Sequence, residues 1–195
     1  MNEELALRAL GHVHISDADT GEVLLNAFNA LHLENLSEGL ANSLANRGYG
    51  HIHEMVFGNG ASTISGTGAV TYFPPNAVGA DAQLYHQTYR KVVDDGSPQN
   101  TDPTKNYLTV NHVQNMSYTD ISIQCRLERG EPAGQEAFDD ATDMEGNFVF
   151  DELGFKSYSD DPDLARLLGH IVFNPIQKSL NRALKFKYTV RLYML

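Results

Sequence analysis

The run Leu184 to Met194, LKFKYTVRLYM, places Leu184, Phe186, Tyr188, Val190, Leu192 and Met194 at alternate positions and Lys185, Lys187, Thr189 and Arg191 between them. Successive side chains of a strand point to opposite faces, so this spacing predicts a half-buried strand with an apolar and a cationic side. A slip of one residue would bury the cations, which fixes the register. Thr119 to Leu127 repeats the pattern, with Ile121, Ile123, Cys125 and Leu127 on one side and Asp120, Ser122, Gln124 and Arg126 on the other.

Further strands are expected at Gly11 to Ile15, Glu22 to Leu25, His51 to Phe57, Ala69 to Phe73, Gln83 to Val93, Tyr107 to Val113, Asn147 to Phe150 and Gly169 to Phe173. Turn residues separate them: Asp19, Thr20, Gly21; Gly58, Asn59, Gly60; Pro74, Pro75, Asn76; Asp94, Asp95, Gly96. One helix is expected between Leu33 and Arg47, where Leu33, Leu36, Leu40, Ala41 and Leu44 recur at three- and four-residue spacing and Gly48 follows as a cap. The expected fold class is therefore mainly β, an antiparallel β-sandwich with one N-terminal amphipathic helix. Its division is residues 1–50, a hairpin and helix forming a docking arm, and residues 51–195, the sandwich.

Length and composition agree with a globular chain. The 195 residues are 42% hydrophobic and 20% charged, enough for one sizeable core and outside the disordered range. A single cysteine excludes a disulfide framework. The start, MNEELALRALGH, lacks a basic region and a long apolar run, so no secretory signal or membrane span is expected. The net charge of -11 argues against a protein that tracks phosphates. That charge is uneven. Glu128 to Asp163 holds 12 acids and 2 bases, whereas Gln177 to Leu195 holds 5 bases and no acid. Opposite-sign surfaces on one molecule can meet between copies, and the contact residues expected on this ground are Lys185, Lys187 and Arg191 against Asp139 and Asp140. The terminal strand itself is either a joint to another copy or an interior strand of its own sheet.

No catalytic, cofactor or metal site is assigned. His12 with His14, and His51 with His53, each put two imidazoles on one side of a strand, and zinc would suit them, but no third and fourth ligand stands at a motif spacing. Asp17, Asp19 and Glu22 resemble the opening of a calcium loop, yet Gly21 occupies the fifth position where an oxygen ligand is required, so a hairpin turn is expected. Gly58, Gly60, Gly66 and Gly68 lack the lysine and the following helix of a phosphate cradle. Cys125 falls on the apolar side of its strand, where a thiol is inert. Asp139, Asp140, Asp151 and Glu152 are acids in adjacent pairs, which point apart in a regular strand, and no nucleophile elbow is present.

Three stretches, HEMVFGNGASTISGTGAVTYFPP from His53, FVFDELGFKS from Phe148 and LLGHIVFNPIQKSLNRALKFKYTVRLYML from Leu167, together resemble structural proteins of tailed bacteriophages, the small β-rich components of tails, fibre attachments and neck or collar regions. The likeness spans about the last three quarters of the chain. In the second stretch, Asp151, Glu152, Leu153, Gly154 and Phe155 are similar to a recurring acidic-Gly element of such proteins. The third looks like their closing hairpin. The resemblance implies a non-enzymatic virion protein, made in the bacterial host cytoplasm, homo-oligomeric, bound to other virion proteins, without cofactors and without direct contact to nucleic acid or membrane. A capsid decoration protein and a metal- or glycan-binding β-sandwich are the alternatives.

Overall fold

The structure is a computed structural model and describes residues 6–133, 149–161 and 164–194. Among these, eleven strands and one α-helix follow in the order β1 (Leu7–Asp17), β2 (Val23–Leu31), α1 (Leu33–Leu44), β3 (Ile52–Gly58), β4 (Ser62–Ile64), β5 (Val70–Tyr72), β6 (Gln87–Val92), β7 (Tyr107–His112), β8 (Tyr118–Leu127), β9 (Val149–Ser157), β10 (Leu167–Gln177) and β11 (Leu184–Met194). Nine of the strands form one antiparallel sheet in the order β6-β3-β9-β10-β2-β1-β11-β8-β7, and β4 with β5 makes a separate hairpin.

The large sheet curls over its own apolar side. In the strand order β3 and β11 stand five places apart, yet the Phe57 and Phe186 rings meet edge to face with centroids 4.9 Å apart. Phe155 of β9 packs on Tyr188 of β11 at 4.6 Å in the same manner. Val13, Ile15, Met55, Ile123, Cys125, Leu153 and Leu184 are among the other members of the buried cluster between the two halves. Breaks in register bend the strands: β1 shifts at Ile15/Ser16, β3 at Ile52/Glu54, and β10 between Val172 and Ile176. The last break contains Pro175, which has no N–H to give to a ladder and so belongs at an irregularity.

The terminal strand behaves as its alternation requires. Leu184, Phe186, Tyr188 and Val190 are buried while Lys185 and Lys187 are exposed. It is an interior strand, paired with β1 on one side from Asp17↔Leu184 to Leu7↔Met194 and with β8 on the other from Leu184↔Leu127 to Tyr193↔Tyr118. Its backbone is therefore not available to a second copy, and the edges of the sheet are β6 and β7. The segment expected as a docking arm, residues 1–50, supplies two interior strands of the sheet, β1 and β2, as well as the helix.

Helix α1 lies where the leucine spacing places it but presents a different face. It packs against β10 through Asn35, Leu36 and Gly39, which are buried, whereas Leu33 and Leu44 are exposed. Asn35 decides this rotation, because its side-chain amide donates to the Leu167 carbonyl at 2.9 Å and to that of Ala80 at 3.3 Å. Gly39 permits the close approach: a Cβ there would stand 2.8 Å from the Gly50 carbonyl oxygen. The N-cap is His32, whose Nδ1 accepts from Asn35 N–H at 3.2 Å while Nε2 donates to the Gly79 carbonyl at 2.9 Å. No helix among the described residues is long and apolar enough to cross a membrane.

Candidate functional site

Two regions gather the polar residues of interest. The first is the outer face of β1, β11 and β8, opposite the core. Pairing sets His14 beside Lys187, Ser16 beside Lys185 and His12 beside Thr189, with Gln124 and Arg126 of β8 flanking the lysines. Arg191 does not join this open set. Its Nε and Nη2 donate to the two carboxylate oxygens of Asp120 at 2.6 and 2.8 Å, and its guanidinium lies 4.2 Å from the centre of the Tyr118 ring. The Arg191 hydrogen bonds hold the Asp120 carboxyl below its ordinary range. Arg126 is engaged too, with Glu128 at 3.1 Å and Asp19 at 3.9 Å. Lys185 and Lys187 form no ion pair with any acid among the described residues. Asp139 and Asp140, their expected partners, lie outside the described residues.

The second region is a buried knot on the opposite half of the sheet. All nine residues of β9 are buried, because one side meets the core and the other is covered by the excursion from Asn59 to His86. That excursion is tied down by Asp151 and Glu152. Ala61 N–H donates to Asp151 at 3.1 Å, and the Ser62 hydroxyl donates to the same carboxylate at 2.5 Å. The Glu152 Oε1 accepts from His86 N–H at 2.8 Å and Gly60 N–H at 3.2 Å; its Oε2 accepts from Tyr85 N–H at 2.9 Å and from His170 Nε2 at 3.1 Å. Asn76 N–H donates to His170 Nδ1 at 2.8 Å, which leaves the ring proton on Nε2, facing Glu152. The two adjacent acids thus reach one covering segment instead of pointing apart, since β9 and β10 are out of regular register where β10 passes from Val172 to Ile176. Burial raises the Glu152 carboxyl, but the hydrogen bonds from His170, His86 and Tyr85 outweigh it and the net direction is down. Burial dominates at Asp151, whose carboxyl is pushed up in spite of Ser62 and Ala61.

The remaining candidates resolve as local structure. Asp17 Oδ1 accepts from the amides of Asp19 and Thr20 at 3.0 and 2.9 Å, Oδ2 accepts from Arg182 Nε at 2.9 Å, and Gly21 has a φ of 77°, a hairpin turn closed by its first acid. Those bonds hold the Asp17 carboxyl far below its ordinary range, the Thr20 amide contributing most. The glycine-rich stretch forms the β4–β5 hairpin, with Gly68 at a φ of 82°. Cys125 is fully buried, and burial pushes its thiol up to about 12. Of the histidine pairs, His12 and His14 stay on the outer face of β1, whereas His51 and His53 come together with Asp94, a residue with no sequence signal linking it to them.

No protein-family model, no curated protein and no solved structure matches this chain.

Proposed function

We propose that the chain is a non-enzymatic structural component of a tailed-bacteriophage virion, assembling as a homo-oligomer into the tail, neck or collar, or baseplate and serving as an adaptor or fibre-attachment module. The observation that carries this reading is the cationic outer face at β1 and β11. In a chain of net charge -11, Lys185 and Lys187 stand exposed side by side in the sheet surface with no acid bound to them among the described residues. A surface of the minority sign attracts the majority-sign surface of another copy or partner, which aligns subunits during assembly. Leu33 and Leu44, exposed at the two ends of α1, add apolar surface to the available contact area. The buried acids Asp151 and Glu152 are engaged by backbone amides, the Ser62 hydroxyl and the His170 ring, a use that fastens the covering segment to the sheet. We also take the curled sheet as a sandwich in the packing sense, because its two halves share one core.

Native mass spectrometry at low and high ionic strength tests the reading. A discrete ring-sized oligomer at low salt that loosens at high salt supports it, and so does dissociation when Lys185 and Lys187 are both changed to Glu. A monomer under all conditions, or an oligomer indifferent to both salt and charge reversal, refutes it. Antibody labelling of particles from an infected host separates a tail or neck position from a capsid surface.

A further inference from the structure

We propose that His51, His53 and Asp94 form a binding site for one divalent transition metal ion of the zinc class, with an open fourth position. The site lies where β3 begins and β6 ends. His51 directly precedes β3, His53 sits at the register shift of that strand, and Asp94 follows β6. Two backbone bonds fix the juxtaposition, since the His53 carbonyl accepts from both Val93 N–H at 2.8 Å and Asp94 N–H at 3.1 Å.

The distances suit ligation as well as hydrogen bonding. Asp94 Oδ2 lies 3.4 Å from His53 Nδ1 and 3.5 Å from His51 Nε2. The first is a hydrogen bond at the long end of the range and the second a looser ion-pair distance. A tetrahedral ion with metal–ligand distances of about 2.0–2.1 Å separates neighbouring ligand atoms by roughly 3.3–3.4 Å. The three donor atoms all lie within 4.8 Å of one another, close enough for one ion to draw them together.

The surroundings prepare the donors. Asp94 Oδ1 accepts from Gly96 N–H at 3.0 Å, which turns Oδ2 toward the imidazoles. Tyr158 stacks on His51 with centroids 5.1 Å apart and 12° between planes, and meets His53 edge on at 5.0 Å. Such outer contacts hold ligand rings in place. His53 is buried and the His51 side chain is 44% exposed, which provides both a dry wall and an entry path. The adjoining pocket is lined by His53, Tyr158 and the buried Glu54, one of whose carboxylate oxygens has no hydrogen-bond partner among the described residues. Two imidazoles and one carboxylate suit zinc better than calcium or magnesium, which prefer all-oxygen sets. A water completes the shell.

The test is a competition titration of the chelator-stripped full chain with zinc ion alone. The expected result is one ion per chain, with affinity falling more than about tenfold in His51→Ala and in Asp94→Asn and unchanged in the His12→Ala/His14→Ala double variant. Asp94→Asn keeps the oxygen that accepts from Gly96, and His51 is exposed, so both variants retain the fold; thermal melts verify this, and zinc should raise the midpoint of the wild type but not of these two. Cobalt should give a tetrahedral absorption spectrum that the same two variants lose. Uptake below one ion per chain, binding that survives both substitutions, or binding that vanishes with His12 and His14 overturns the proposal.

Discussion

Replacing Glu152 by Gln should unfasten the covering segment from the sheet. The carboxylate receives four donors, from Gly60, Tyr85, His86 and His170, and has no donor of its own. Glutamine keeps the shape but turns one oxygen into an NH2, so whichever way the amide is placed, two of the four donors face another donor. His170 cannot adapt by changing tautomer, because its Nδ1 already accepts from Asn76. Each buried donor left without an acceptor costs roughly 1–3 kcal/mol, giving about 4 kcal/mol for two. In a chain of this size 1 kcal/mol moves the melting midpoint by roughly 2–4 °C, so a fall of about 8–16 °C is expected by calorimetry. Hydrogen exchange should accelerate first between Asn59 and His86. Acid sharpens the comparison. The Glu152 carboxyl is depressed in the folded chain, so its contribution is present above the ordinary value of about 4.3 and is lost as pH falls through the folded value. The gap between wild type and Glu152→Gln should therefore narrow below about pH 4. Asp151, whose carboxyl is raised, works in the opposite sense, its penalty fading as the folded chain takes up the proton. A midpoint within about 2 °C of wild type at neutral pH would show that the amides around Glu152 do not depend on it.

Tyr188 is fully buried and its hydroxyl has no hydrogen-bond partner among the described residues, so Tyr188→Phe should stabilise the fold by about 1 kcal/mol, read as a higher urea midpoint at unchanged slope; a lower midpoint would reveal a bond to that hydroxyl. A Cβ at Gly169 would strike the Phe155 ring and stand 2.6 Å from the Tyr188 hydroxyl, so Gly169→Ala should cost about 1–3 kcal/mol, and less in the Tyr188→Phe background. Equal costs in both backgrounds would place the clash elsewhere. Cys125, with its thiol pushed up to about 12 by burial, should resist a thiol-reactive dye at pH 8 in the folded chain and react fully once unfolded; rapid labelling of native protein would contradict its burial. Glutamates at 185 and 187 should leave the melting midpoint near that of the wild type while lowering the native mass, since both lysines are exposed. A large loss of stability would mean that the two side chains serve the fold.

How much was legible in the residues depended on whether one face of a strand meets water. For β8 and β11, core lies on one side and solvent on the other, so apolar and polar residues alternate and both strands stand where that pattern puts them. Strand β9 is buried on both sides, so VFDELGFKS has no such alternation, and only its beginning was expected to be a strand. The short strand β4 carried no signal, being half-exposed or exposed throughout. Helix α1 was placed by its leucines but oriented by Asn35, because a buried amide must find carbonyls and those of Ala80 and Leu167 lie on one side.

The same division holds for the sites. Local order determined the strand period, the turns, the cationic face and the two histidine pairs, all of which depend on neighbours a few positions away. Tertiary structure alone decided that the terminal strand is interior, that Arg191 belongs to Asp120, that Asp151 and Glu152 fasten one loop, and that Asp94 meets His51 and His53 from 41 residues beyond His53. Those outcomes depend on which strands become neighbours and where their register breaks, and pairing between distant segments is settled by burial of the whole core, which no short window of sequence contains.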